Sequence, residues 1–138
     1  MISVSVVEAK YRRSNVAGEK TFLWNDADQE KRLFFLSKDF FSEKEDAILC
    51  YKESTDYSWV ITNMRLIIME YNKIDHYDLS LINKVGLGEV ETNYQAKKNN
   101  NYLPVTIGDH IIKLQVEPAV WFVIYDILKF ISNKKRKA

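Results

Sequence analysis

The sequence predicts a mainly β fold: seven short antiparallel strands that form a barrel or two orthogonal sheets, followed by a C-terminal helix that covers one open end. Three observations lead there. From Asp46 to Val116, β-branched and aromatic runs alternate with polar turns of about 2–7 residues, which suits an antiparallel meander. Residues 56–71, DYSWVITNMRLIIMEY, read as a strand, a tight turn and a returning strand. Trp121, Ile124, Tyr125 and Leu128 recur at the i, i+3, i+4, i+7 spacing of a helix face.

With 138 residues the chain has room for one domain, and 46 % hydrophobic residues with 13 % aromatics suffice for a packed core. The net charge of +1 supplies no bulk field that points to nucleic acid or an acidic substrate, and no nucleic acid partner is expected. With no catalytic or phosphate-cradling motif in the chain, no small-molecule substrate is expected either. The charge is unevenly placed: without Lys134, Lys135, Arg136 and Lys137 the rest of the chain stands at −3. A single cysteine, Cys50, excludes an intramolecular disulfide and any multi-cysteine metal site. No signal-peptide pattern opens the sequence, and the longest apolar run, 119–125, is far short of the roughly 20 residues that span a bilayer. A cytoplasmic protein is expected, with peripheral membrane contact as its alternative.

In chain order, residues 2–7 alternate Ile2, Val4, Val6 against Ser3 and Ser5, a short strand pattern, and Tyr11 to Lys20 reads as a loop. Thr21 to Trp24 is a short extended piece. Asn25 is a suitable cap for a helix over about 26–37, which places Leu33, Leu36 and Phe40 on one stripe and Phe34 and Phe41 on a neighbouring one. Ser42 to Glu45 has capping-box spacing but room for a single turn. The strands are then 46–53, 57–62, 65–71, 74–79, a long 82–94 bent at Gly86 and Gly88, 102–107 and 110–116. In the central hairpin Asn63 and Met64 form the loop, Asn63 adopting left-handed backbone, so Ile61 faces Leu66 and Trp59 faces Ile68 on the core face. Pro104 removes a ladder donor, which predicts an unpaired side or a bulge. Pro118 suits the first position of the last helix, over about 118–131, whose second stripe is Val123, Ile127, Phe130 and Ile131.

From Glu43 to about Ser132 the chain resembles the bacterial pleckstrin-homology-like domains. The resemblance rests on EKEDAILCYKES, YSWVITNMRLIIME, IDHYDLSLINKVGLGEV, IIKLQV and AVWFVIYDILKFI, and most specifically on Thr62-Asn63-Met64-Arg65-Leu66, which looks like the family's T-N-x-R-L hairpin signature. It implies a seven-stranded, partly open antiparallel barrel capped by the helix; residues 43–138 are read as that domain with its basic tail, and residues 1–42, outside the resemblance, as an N-terminal helical or extended arm. It implies no reaction and no cofactor; such domains act as adaptors for lipid headgroups, peptides or further copies of themselves. Phosphoinositide readers of this kind carry several cations in the first hairpin loop. Here that loop is Lys52-Glu53-Ser54-Thr55-Asp56, with two acids and one base, which argues against headgroup binding there.

The candidate functional residues follow. Arg65 is either an anion fork or an internal brace for the hairpin. Cys50, His76 and Asp78 are the one loose set with metal-ligand chemistry, on separate strands and without ligand spacing. Asp75, Asp78, Glu89 and Glu91 could pair as carboxylates for acid–base work, though alternating positions favour solvated strand faces. The tail, Lys134 to Lys137, either contacts an anionic surface, touches nucleic acid non-specifically, or complements the helix dipole. Lys97 and Lys98 mark a solvated tip. Because two apolar stripes cannot both face one barrel mouth, Phe34, Phe41, Phe122, Val123, Ile127 and Phe130 form an expected interface with a second copy or another protein. The expected function is a non-enzymatic interaction module that self-associates or binds a protein, with binding to an anionic membrane through the tail as the alternative.

Overall fold

Thr62, Asn63 and Arg65 organise the hairpin at the centre of the molecule, and the rest of the first sheet is built outward from it. The computed structural model describes residues 2–91 and 93–136. Among them, the elements are α1 (Val4–Arg13), β1 (Thr21–Leu23), α2 (Gln29–Leu36), β2 (Ala47–Lys52), β3 (Tyr57–Thr62), β4 (Arg65–Glu70), β5 (Lys73–Asp78), β6 (Ile82–Val85), β7 (Tyr102–Ile107), β8 (His110–Gln115) and α3 (Trp121–Arg136). β1 to β5 form one antiparallel sheet in sequence order, and β6 to β8 form a second. The two sheets do not close into a barrel, and helix and strand contents are similar, so the fold is mixed rather than mainly β. The expected seven strands are present from Ala47 onward; β1 adds an eighth from the N-terminal segment.

The predicted hairpin register holds: Trp59 pairs with Ile68 and Ile61 with Leu66. All four side chains lie in the main core with Leu49 and Tyr51 of β2, Leu103 and Val105 of β7, and Ile124, Ile127 and Leu128 of α3. The sheets are stitched together where Trp59 Nε1 donates to the Gln115 carbonyl at 2.8 Å and the Gln115 amide donates to the Tyr57 hydroxyl at 3.0 Å. Each such fully buried large side chain contributes roughly 1.5–3 kcal/mol. The opposite face of the first sheet is buried too. Ala47, Cys50, Val60, Ile67 and Met69 form a second core with Phe35, flanked by Phe22, Trp24, Phe34, Phe40 and Phe41.

Several local expectations are corrected. Residues 2–7 are not a strand: Ser3 caps α1 by accepting from the Val6 amide, and Val7 and Tyr11, one helical face, are buried. Helical spacing prevails because it buries that face, whereas a strand there would have left Ser3 and Ser5 or the valines unmatched. The cap of α2 is Asp28, which accepts from the Lys31 amide at 2.8 Å; Asn25 lies in a 3-10 turn and donates instead to Glu8. Leu33 and Leu36 face water, and the anchor is Phe35 at 0 % exposure. Asn63 is not left-handed. The turn is held by side chains: Thr62 Oγ1 accepts from the amides of Met64 and Arg65, and Asn63 Oδ1 accepts from the Asp46 amide. The left-handed residue falls in the next turn, at Tyr71 with φ 56°.

The long fifth strand stops at Val85. Gly88, at φ 74°, leads into 3-10 turns over Gly88–Glu91 and Tyr94–Lys98. A Cβ at Gly88 would lie 2.4 Å from the Tyr102 carbonyl oxygen. β6 therefore ends beside Pro104, whose carbonyl accepts from Gly86 at 2.8 Å where the proline itself has no N–H to give. Pro118 lies in the turn before α3 rather than at its first position.

The first 42 residues are woven into this framework. α1 packs on α3 and β2, β1 extends the sheet, and the Glu117 carboxylate accepts from the amides of Glu19 and Lys20 and from the Thr21 hydroxyl. Gly18 lets the loop approach that closely, since a Cβ there would sit 2.6 Å from a Glu117 oxygen.

Candidate functional site

Two places bring polar chemistry together, and they differ in kind. The first is the hairpin turn. Glu45, at the end of a single turn as expected from its spacing with Ser42, has a side chain with no exposure. Arg65 reaches it from β4: Nε donates at 2.9 Å and Nη2 to the second carboxylate oxygen, while Nη2 also donates to the Phe40 carbonyl at 2.7 Å. Thr62 donates to Glu45 at 2.6 Å. Burial works against the Glu45 carboxylate, but the hydrogen bonds from Arg65, Thr62 and Ser42 outweigh it and hold its pKa below the ordinary value. The bond from Glu45 also raises the pKa of Arg65. Arg65 is thus an internal brace, its fork filled by a residue of the same chain, and Leu66 beside it is core.

The second place is the face between α1 and α3. A cavity of about 790 Å³, open to solvent, is lined by Lys10, Arg13 and Ser14 of the α1 end and by Phe122, Asp126, Lys129, Phe130 and Lys134 of α3. The helix period brings the α3 residues to one side: 122, 126, 129, 130 and 133 repeat at spacings of three and four. Lys10 and Lys134 bracket the Phe130 ring, with Nζ at 4.7 and 5.9 Å from its centre. Among the described residues none of Lys10, Arg13, Lys129 and Lys134 forms an ion pair, and Asp126 is the one acid in the lining. Phe122 is 42 % exposed.

The remaining candidates are dispersed. Val123 and Ile127 are core residues, at 3 % and 0 % exposure, on a helix that packs against α1, β6 and β7. Phe34 and Phe41 pack on the outer face of the first sheet, where Phe41 meets Trp24 and Phe34 meets Phe35 edge-on. Of the expected interface, Phe122 is exposed, and Phe34, Phe41 and Phe130 are half-buried. Cys50, Val60, Ile67 and His76 form one cross-strand row, which separates Cys50 from His76 by three strand spacings, roughly 14 Å. Burial pushes the Cys50 thiol pKa well up. Among the described residues, no group of three or more His, Cys, Asp or Glu side chains could hold a metal. Asp75 pairs with Lys73, and Asp78 accepts from the Ser80 amide to cap the turn after β5. In the 52–56 loop Glu53 is occupied by Lys20 and the Tyr51 hydroxyl. The side chains of Glu89, Glu91, Lys135 and Arg136, and the whole of Lys137, lie outside the described residues. No helix among the described residues is long and apolar enough to cross a membrane.

Sequence reading missed Lys10, Arg13 and Lys129. The signal that could have found them was the helical spacing of Val4, Val7 and Tyr11, which puts Lys10 and Arg13 on the flank of a buried stripe. No family model, curated protein or solved structure matches the chain.

Proposed function

We propose that this chain is a non-enzymatic interaction module, pleckstrin-homology-like in fold, that binds an anionic partner on the face between α1 and α3. The fold reading draws support from chain order: four strands from Ala47 in one sheet, three in a second, then a helix packed on β6 and β7. The T-N-x-R-L turn supports it as well, because each polar group of that motif has a structural task at the hairpin. The functional reading is carried by one observation: among the described residues, four cations that form no ion pair line one cavity with Phe122, Phe130 and a single acid, Asp126. Cations so placed repel one another, and an anion relieves that repulsion while gaining charge-assisted hydrogen bonds.

Calorimetric titration with sodium tripolyphosphate at low salt tests it. Binding is expected, and Lys10→Glu/Lys129→Glu should weaken it about tenfold or more. Lys84→Glu, at an exposed position on β6 that does not line the cavity, should leave it unchanged. Absence of binding, or equal affinity in the double variant, would reject the reading. A second copy as partner has one specific support: Leu33 and Leu36 stand side by side on α2 at 52 % and 49 % exposure. Light scattering that finds a dimer lost in Leu36→Asp would favour it, and a monomer would remove it.

A further inference from the structure

The cavity face has a composition that selects among anionic partners. Three of its four cations are lysines, point charges on flexible stems, and the one arginine, Arg13, already turns its Nε to the Ala9 carbonyl. A single phosphorylated side chain or a carboxylate-bearing peptide is recognised by forks and fixed donors that converge on one oxygen set. Here the cations line an open cavity, and two of them, Lys10 and Lys134, stand over the Phe130 ring. Phe122 stands among them, 42 % exposed, at a position where a hydrated acidic peptide offers its ring nothing. Charge also continues along the chain: α3 runs to Arg136, and Lys135, Arg136 and Lys137 follow Lys134 in sequence.

Resting on the interaction-module reading above, we propose that this face docks on the surface of an anionic phospholipid bilayer. Lys10, Arg13, Lys129 and Lys134 lie over the headgroup phosphates, and Phe122 enters the headgroup layer. A bilayer supplies what the face requires: diffuse negative charge without fixed stereochemistry, and an apolar boundary a few ångströms below it for one aromatic ring. Asp126, in the same lining, opposes the contact. This site lies away from the 52–56 loop, where Glu53 holds the nearby lysine.

The experiment is co-sedimentation of the full chain with phosphatidylserine–phosphatidylcholine vesicles and, separately, with pure phosphatidylcholine vesicles. Binding to the first alone is expected, falling as salt rises. Each of Lys10→Gln and Lys129→Gln should lower the partition coefficient about fivefold. Asp126→Lys should raise it several-fold, a gain that a folding defect cannot produce. Phe122→Ser should weaken vesicle binding while leaving tripolyphosphate affinity unchanged. Equal binding to neutral vesicles, no binding to anionic vesicles at low salt, or no response to Asp126→Lys and Lys129→Gln would overturn the bilayer proposal. Should tripolyphosphate or polyglutamate still bind this face when vesicles do not, the occupant is an acidic macromolecule, and the interaction module stands without the membrane.

Discussion

Glu45 shows how one buried carboxylate can set a turn. Its side chain has no exposure, yet it accepts from Arg65, Thr62 and the Ser42 amide, so its charge is matched on both oxygens. Removing Arg65 leaves that charge buried with too few donors, and Arg65→Met is expected to destabilise by about 3 kcal/mol in urea unfolding. The pH dependence follows from the lowered pKa of Glu45. A carboxylate depressed in the folded state contributes stability above its ordinary value of 4.5, and that contribution is lost as pH falls through the folded value. Glu45→Gln should therefore flatten the loss of urea midpoint between neutral pH and the region below 4.5; an unchanged slope would show that the carboxylate is not the group that titrates. The sequence offered brace and anion fork as alternatives for Arg65. It could not choose, because the partner lies 20 residues earlier in a turn whose proximity exists only after folding.

At the scale of elements, the first sheet is covered on both faces, and its outer cover is supplied by α2 and the segments beside it. Phe35 fills the centre of that cover, in edge-on contact with Phe22, Trp24 and Phe34. Phe35→Ala is expected to cost about 3–5 kcal/mol, while Leu33→Ala and Leu36→Ala, which face water, should change stability by about 0.5 kcal/mol or less in denaturant titrations. A reversed order would restore the stripe read from sequence. Strand alternation made the hairpin register legible, because one-residue slippage would invert every side chain from Tyr57 to Glu70. The burial of both faces was hidden for the same reason: alternation identifies one inner face, whereas Val60, Ile67 and Met69 on the other are apolar only because a distant aromatic segment covers them. α1 was misread since Ile2, Val4 and Val6 satisfy a period of two over a window too short to show the period of 3.6 carried by Val4, Val7 and Tyr11.

For the whole molecule, the N-terminal segment decides what remains for a partner. α1 docks on α3, where Val123 and Ile127 are buried, and α2 brings Phe35 into the core on the outer face of the first sheet. The apolar surplus that suggested self-association is largely accounted for within one chain. What α1 adds in exchange is charge, because Lys10 and Arg13 arrive beside Lys129 and Lys134. Of this site the sequence displayed only the α3 end and the basic tail; the other wall comes from a helix at the opposite end of the chain, joined to it by packing alone.

Amide chemical-shift mapping during a tripolyphosphate titration locates the anion contact on the molecule without assuming where it lies. The largest shifts are expected in residues 10–14 and 122–134, around the cavity between α1 and α3. Shifts centred on the 52–56 loop, or spread evenly over the surface lysines, would contradict that placement.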